Sequence, residues 1–207
     1  MVGVSVAIVV AIGLTMALPH RIANEPRWLL PGVASILLLL MLVSRHEARF
    51  RHRRPALRIV GIVLIAVLSL ANASSAARLI VDILRGEGLK DPTDLLLAGG
   101  AIWITNVILF AVWYWIADRG GAVERALAEE PQEPDFLFPQ MGIDEWWTHD
   151  WEPEFVDYLY LSFTNATAFS PTDVMPLARW AKLTMMLQSV ISIVIVVLVV
   201  ARAVNIL

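Results

Sequence analysis

The sequence predicts an all-α integral membrane protein: five transmembrane helices, with a short re-entrant, pore-like half-helix before the last of them. Three observations lead there. Apolar residues make up 58% of the 207-residue chain and its mean hydropathy is +0.68, whereas soluble domains run about 45–50% apolar. Charged residues are only 17%, below the ~25% of a soluble domain. Apolar runs of about 20 residues, long enough to cross a bilayer, recur along the chain. Each run is expected to be helical, because a lone segment in lipid must satisfy its own backbone hydrogen bonds.

The spans follow in order. The first covers residues 2–18; its start, MVGVSVAIVVAIGLTMALPH, lacks the positive n-region of a signal peptide and reads as a retained span. The second, leucine-rich, covers 28–43, the third 57–84, the fourth 95–116 and the fifth 177–203. The organisation is thus a four-helix region (1–117) carrying an arginine-rich loop (44–58), an acidic, tryptophan-rich loop (118–154) and a C-terminal part (155–207).

The loop SRHEARFRHRRPALR holds Arg45, Arg49, Arg51, Arg53, Arg54 and Arg58. Lys and Arg in short loops mark the cytoplasmic side. With that loop inside, those six plus Arg119, Arg125, Arg179 and Lys182 put ten of the sixteen cations inside. The expected orientation is therefore N-terminus in and C-terminus out. The loop also suits anionic lipid headgroups, although a topology anchor suffices to explain it. Residues 118–157 hold twelve acids against Arg119 and Arg125. GGAVERALAEEPQEP reads as a short polar helix. DFLFPQMGIDEWWTHDWEPEF mixes acids with Phe136, Phe138, Trp146, Trp147 and Trp151, the composition of a stretch lying on the membrane surface.

Catalytic chemistry is scarce. There is no cysteine, which excludes disulfides, thiolate metal sites and a Cys nucleophile. Of the four histidines, only His149 sits among acids, and without recognisable ligand spacing. No phosphate loop, dinucleotide fingerprint, GxSxG or HExxH occurs. The chain is not expected to be an enzyme, to carry a cofactor or metal, or to bind nucleic acid.

Polar residues inside the spans say more. Asn72, Ser74 and Ser75 interrupt the third span, with Arg78 and Asp82 following at i,i+4. Thr105 and Asn106 lie in the fourth. Thr184, Gln188 and Ser192 form one stripe on the fifth at i,i+4,i+8, with Ser189 beside it. Such groups face a neighbouring helix or a water-filled path, not lipid. Both readings stand on sequence alone.

Residues 155–163 are apolar enough to enter the membrane and too short to cross it, which suits a re-entrant helix. Then come Thr164, Asn165, Thr167, Ser170, Pro171, Thr172 and Asp173. Polar non-helical backbone at membrane depth is tolerated only inside protein or along an aqueous cavity. Half-helix, polar turn and full span is the order of a pore loop.

Two resemblances rest on these residues. Asp157, Leu159, Tyr160, Ser162, Phe163, Thr164, Thr172, Asp173, Asn205 and Leu207, within the order of spans and loops above, resemble a bacterial inner-membrane family catalogued only as a domain of unknown function. That resemblance covers nearly the whole chain, implies the bacterial inner membrane and brings no activity. Over about 30 residues, Asp173, Pro176, Trp180, Ala181, Lys182 and Leu183 resemble the potassium-channel pore, where the filter leads into the inner helix, and Thr167 falls near the first filter threonine. Pro176, Trp180 and Lys182 would then form the loop-to-helix junction. The chain departs from that pattern at the filter, with Ser170 and Thr172 in place of two glycines, whose freedom turns carbonyls toward the ion. It departs also in orientation, since the arginine count puts this loop inside.

Two functions follow. In the first, a homo-oligomer, a tetramer by the channel resemblance, passes monovalent cations; Thr164, Asn165, Thr167, Ser170, Thr172 and Asp173 line the constriction, and Thr184, Gln188 and Ser192 the path beyond. In the second, the chain is a non-conducting accessory or scaffold protein of the bilayer, and Thr172 or Asp173 merely caps the last helix. A small-solute transporter comes third, against an odd number of spans and no inverted repeat.

Overall fold

A computed structural model describes residues 2–19, 22, 29–46, 54–87, 89, 91–121, 125, 132–142, 151–167 and 173–206. The chain is mostly helical. The helices are α1 (Val2–Ala17), α2 (Leu29–His46), α3 (Arg54–Arg85), α4 (Pro92–Ala117), α5 (Phe155–Thr167) and α6 (Arg179–Ile206). Among the described residues, three stretches are long and apolar enough to cross a membrane: Ile59–Arg85, Pro92–Gly120 and Arg179–Ile206. The first helix is apolar but shorter.

The chain divides into two compact units. The first comprises Met1–Leu109 and Val194–Leu207. Here α1 packs on α2 and α2 on α3, with Val4, Ile8, Leu37, Ile65, Leu79, Leu95 and Ile102 buried. Asn72, which interrupts the third apolar run, is itself buried and donates to the carbonyl of Ile102 at 3.3 Å. It thus serves as interhelical glue. Gly99 lets α4 approach α6 closely: a Cβ there would lie 2.8 Å from both methyls of Val199. Asp91 caps α4, accepting from the backbone N–H of Thr93 at 2.7 Å and of Asp94 at 3.3 Å. Pro92 follows at the first helical position, where its missing N–H costs nothing. Gly86, at φ +71°, closes α3.

The second unit, Phe110–Ile193, holds the end of α4, the first half of α6, all of α5, and the strap between α4 and α5. Two elements there depart from expectation. A two-residue strand β1 (Phe136–Leu137) pairs antiparallel with β2 (Met175–Pro176), Phe136 opposite Pro176. An acidic, surface-seeking segment is thereby pinned to the start of α6. Helix α5 also runs to Thr167, four residues beyond the expected end at 163. Thr164, Asn165 and Thr167 are therefore helical, not part of a turn. The hydroxyls of Thr164 and Thr167 bond back to carbonyls within the helix, Thr164 to Tyr160 at 2.8 Å and Thr167 to Thr164 at 2.8 Å. Such back-bonding lets these residues continue a helix. Likewise α3 begins inside the expected arginine-rich loop, so Arg54 and Arg58 are helical.

Candidate functional site

Helix α5 is fastened to its unit by two polar clusters, one at each end. The first grows from the C-terminus of α4. Arg119, Gly120 and Gly121 all have positive φ (46°, 81° and 101°), so the chain turns sharply there. At Gly121 a Cβ would meet the Ile116 carbonyl oxygen at 2.9 Å, which leaves glycine alone able to make the turn. The turn returns Arg125 to the end of α4. Its Nη1 donates to the carbonyls of Asp118 at 2.7 Å and Trp115 at 3.3 Å, satisfying two orphan carbonyls.

Asp118 has no exposed surface, and Arg125 is 6% exposed. The Asp118 carboxylate accepts from the Tyr158 hydroxyl and from the Asp135 backbone N–H at 3.0 Å. Arg119 Nε lies 3.4 Å away and Arg125 Nη1 3.8 Å away. The Arg125 guanidinium also sits 5.4 Å from the centre of the Tyr158 ring, within cation–π range. Asp135 repeats the device toward α6. Its carboxylate accepts from the Arg119 backbone N–H at 2.8 Å and from Trp180 Nε1 at 3.0 Å. Its carbonyl takes the Leu177 N–H at 2.8 Å, just before α6. The buried Asp118 carboxylate thus meets two guanidinium groups, as a buried charge requires. Phe136 fills the centre, its ring 5.1 Å from Tyr114, 6.4 Å from Tyr158 and 5.5 Å from Trp180.

The second cluster lies one to two turns further along α5. Gln188, fully buried on α6, uses all four of its hydrogen-bonding positions. Its Oε1 accepts from the Tyr114 hydroxyl at 2.6 Å and from Asn165 Nδ2 at 2.8 Å. Its Nε2 donates to the Ser162 carbonyl at 2.9 Å and the Ser162 hydroxyl at 2.7 Å. Asn165 Nδ2 also donates to the Met185 carbonyl at 2.9 Å, and Asn165 Oδ1 accepts from Ser189 at 3.1 Å. One glutamine therefore ties α4, α5 and α6 together.

The residues expected from sequence fall into four groups. Gln188 and Ser192 have no exposed surface, and Thr184 bonds back to Trp180 and Ala181 within its own helix. In the single chain Gln188 and Ser192 thus face protein, while Thr184 is half-buried and satisfied by its own helix. Asn165 joins the stripe, and Pro176 and Trp180 anchor the strand pair and Asp135. Asp173 and Lys182 are exposed. Ser170, Thr172, Pro171 and His149 lie outside the described residues, as do most of GGAVERALAEEPQEP and of the arginine-rich loop. Among the described residues no group of three or more His, Asp or Glu is placed to hold a metal.

Sequence reasoning missed Tyr114, Asp118, Arg125, Asp135 and Tyr158 as a site. Asp118, Arg125 and Asp135 were counted as part of a charged surface loop. The signal was local: in WYWIADRGGAVER an apolar span ends on an acid, turns at two glycines and is followed by an arginine. The Asp157 of the family-like pattern has a helix-end role, its carboxylate accepting the Glu154 backbone N–H at 2.7 Å as half of a capping box. Compared with known proteins, the chain matches no family model, no curated protein and no solved structure.

Proposed function

We propose that the chain is a five-span protein of the bacterial inner membrane, N-terminus inside, with α5 as a re-entrant half-helix, and that it acts as a non-conducting accessory or scaffold protein. The arginine-rich loop carries the orientation. Support for the half-helix comes from its register with α6. The start of α5 lies beside the start of α6, since Tyr158 and Trp180 both flank Phe136. Ser162 and Asn165 lie level with Gln188. Gln188 is nine residues after Arg179, where α6 begins (188 minus 179), which is about 14 Å along the helix. A helix of 13 residues spans only about 20 Å, short of the bilayer core.

The observation that carries the non-conducting reading is the closed network around Gln188. The stripe that would line a conduit is consumed inside one chain. Residues lining a path between subunits are exposed on the isolated chain, and the outward side of α6 presents Leu183, Met186, Leu187 and Val190. None of these replaces the water of a hydrated cation.

One observation favours the pore-loop reading. Helix α5 points its C-terminus, the negative pole of its dipole, inward, and the exposed Asp173 lies six residues beyond its end. Reconstitution into liposomes separates the two. We expect potassium and sodium flux no faster than through protein-free liposomes, unchanged by Asp173→Asn. A four-fold particle whose flux falls on Asp173→Asn would overturn the proposal in favour of a pore.

A further inference from the structure

We infer that Asp118, Arg125 and Asp135, between α4 and α5, form a clasp that sets the position of the half-helix, and that its release is the conformational change built into this fold. The inference rests on α5 lying within the membrane, as proposed above. Val156, Tyr160 and Phe163, at i, i+4 and i+7, are 62%, 54% and 49% exposed, so one whole side of α5 is uncovered by the chain. The opposite side buries Phe155, Leu161 and Ala166, and its polar groups are the Tyr158 hydroxyl, Ser162 and Asn165. Lipid tails are as apolar as leucine, so burying an apolar face against protein gives little net drive inside a bilayer. The position of α5 is then decided by its polar bonds.

Those bonds form two groups of different origin. The deep group, Ser162 and Asn165 with Gln188, joins α5 to the neighbouring spans. The shallow group comes from the strap. Asp118 takes the Tyr158 hydroxyl, and Arg125 covers the Tyr158 ring. The strap in turn is held to α6 through Asp135 and Trp180. Among the described residues, Tyr158 is the α5 side chain that Asp118 and Arg125 contact. Losing its hydroxyl removes the hydrogen bond from α5 to Asp118, keeps the ring contacts and leaves the strap on α6.

The protein has no cysteine, so a single introduced thiol reports one position. Ala166→Cys, 3% exposed on α5, reads the half-helix, and Ala98→Cys, 2% exposed on α4, reads the other unit. In proteoliposomes of the full chain, Tyr158→Phe is expected to speed maleimide labelling at 166 about ten-fold, the factor set by one hydrogen bond to a charged acceptor. Labelling at 98 stays unchanged, and Tyr160→Phe, on the uncovered side, changes neither. Unchanged labelling at 166, or equal acceleration at both positions, overturns the clasp. A bimane on Tyr160→Cys, quenched by mid-chain brominated lipid, reads the depth of α5 separately. Its failure to quench rejects the membrane placement, whatever the labelling shows.

Discussion

Gln188 is where the polar network is most concentrated, and Gln188→Leu is the change that tests it. Leucine roughly keeps the volume and deletes all four hydrogen bonds, to Tyr114, Asn165 and the two oxygens of Ser162. Interhelical hydrogen bonds in membrane proteins average ~0.6 kcal/mol, so four of them come to ~2.4 kcal/mol. Asn165 keeps its bond to the Met185 carbonyl. The Tyr114 hydroxyl is left without its acceptor in a fully buried position, a cost of about 1–3 kcal/mol. Relaxation around the smaller polar load offsets part of this, and the expected net loss is ~2–4 kcal/mol. The assay is equilibrium unfolding in mixed micelles, followed by the fluorescence of the eight tryptophans. A double-mutant cycle with Tyr114→Phe isolates the 2.6 Å bond, with an expected coupling of ~0.6 kcal/mol and a ceiling near ~1.7 kcal/mol. A loss under ~0.5 kcal/mol, the range of an inconsequential surface change, together with zero coupling, would refute the reasoning.

Two further predictions concern the other unit. Gly99→Ala places a methyl 2.8 Å from the Val199 methyls and should cost ~1–3 kcal/mol by overpacking. Adding Val199→Ala should recover part of the loss in the same unfolding assay, and additive losses would reject the close approach as the cause. Asp91 has its pKa lowered from the ordinary 3.8 by the backbone N–H groups of Thr93 and Asp94. A lowered pKa means stability that is present above 3.8 and lost as pH falls through the folded value. Asp91→Asn keeps a capping side chain that does not titrate. Wild type should therefore exceed this variant in stability at pH 7 and lose that margin in acid. A margin independent of pH would show that the charge contributes nothing.

Length and type of the helices were legible because they depend on composition alone. A run such as that of α6 has no option in lipid but helix, and its observed bounds, Arg179–Ile206, lie within three residues of those expected. Boundaries slipped where polar residues carried the decision. Thr164, Asn165 and Thr167 look like turn residues in a list and are helical in the fold, because each finds its acceptor within one turn or across to α6. Gln188 was visible as part of a stripe. Its partners were not, since Tyr114 lies 74 positions away and Asn165 sat in a supposed turn.

The sequence by itself determined that this is a helical membrane chain without cysteine chemistry, and that its C-terminal part sets polar residues among apolar ones. Periodicity and hydropathy are enough for that, because the bilayer constrains each segment separately. Only the tertiary structure decided what those polar residues face. Satisfying a buried amide or carboxylate is a matter of partners brought together from distant positions. Asp118, Asp135 and Tyr158 meet within hydrogen-bonding distance only because a three-residue turn of positive φ reverses the chain at Gly121.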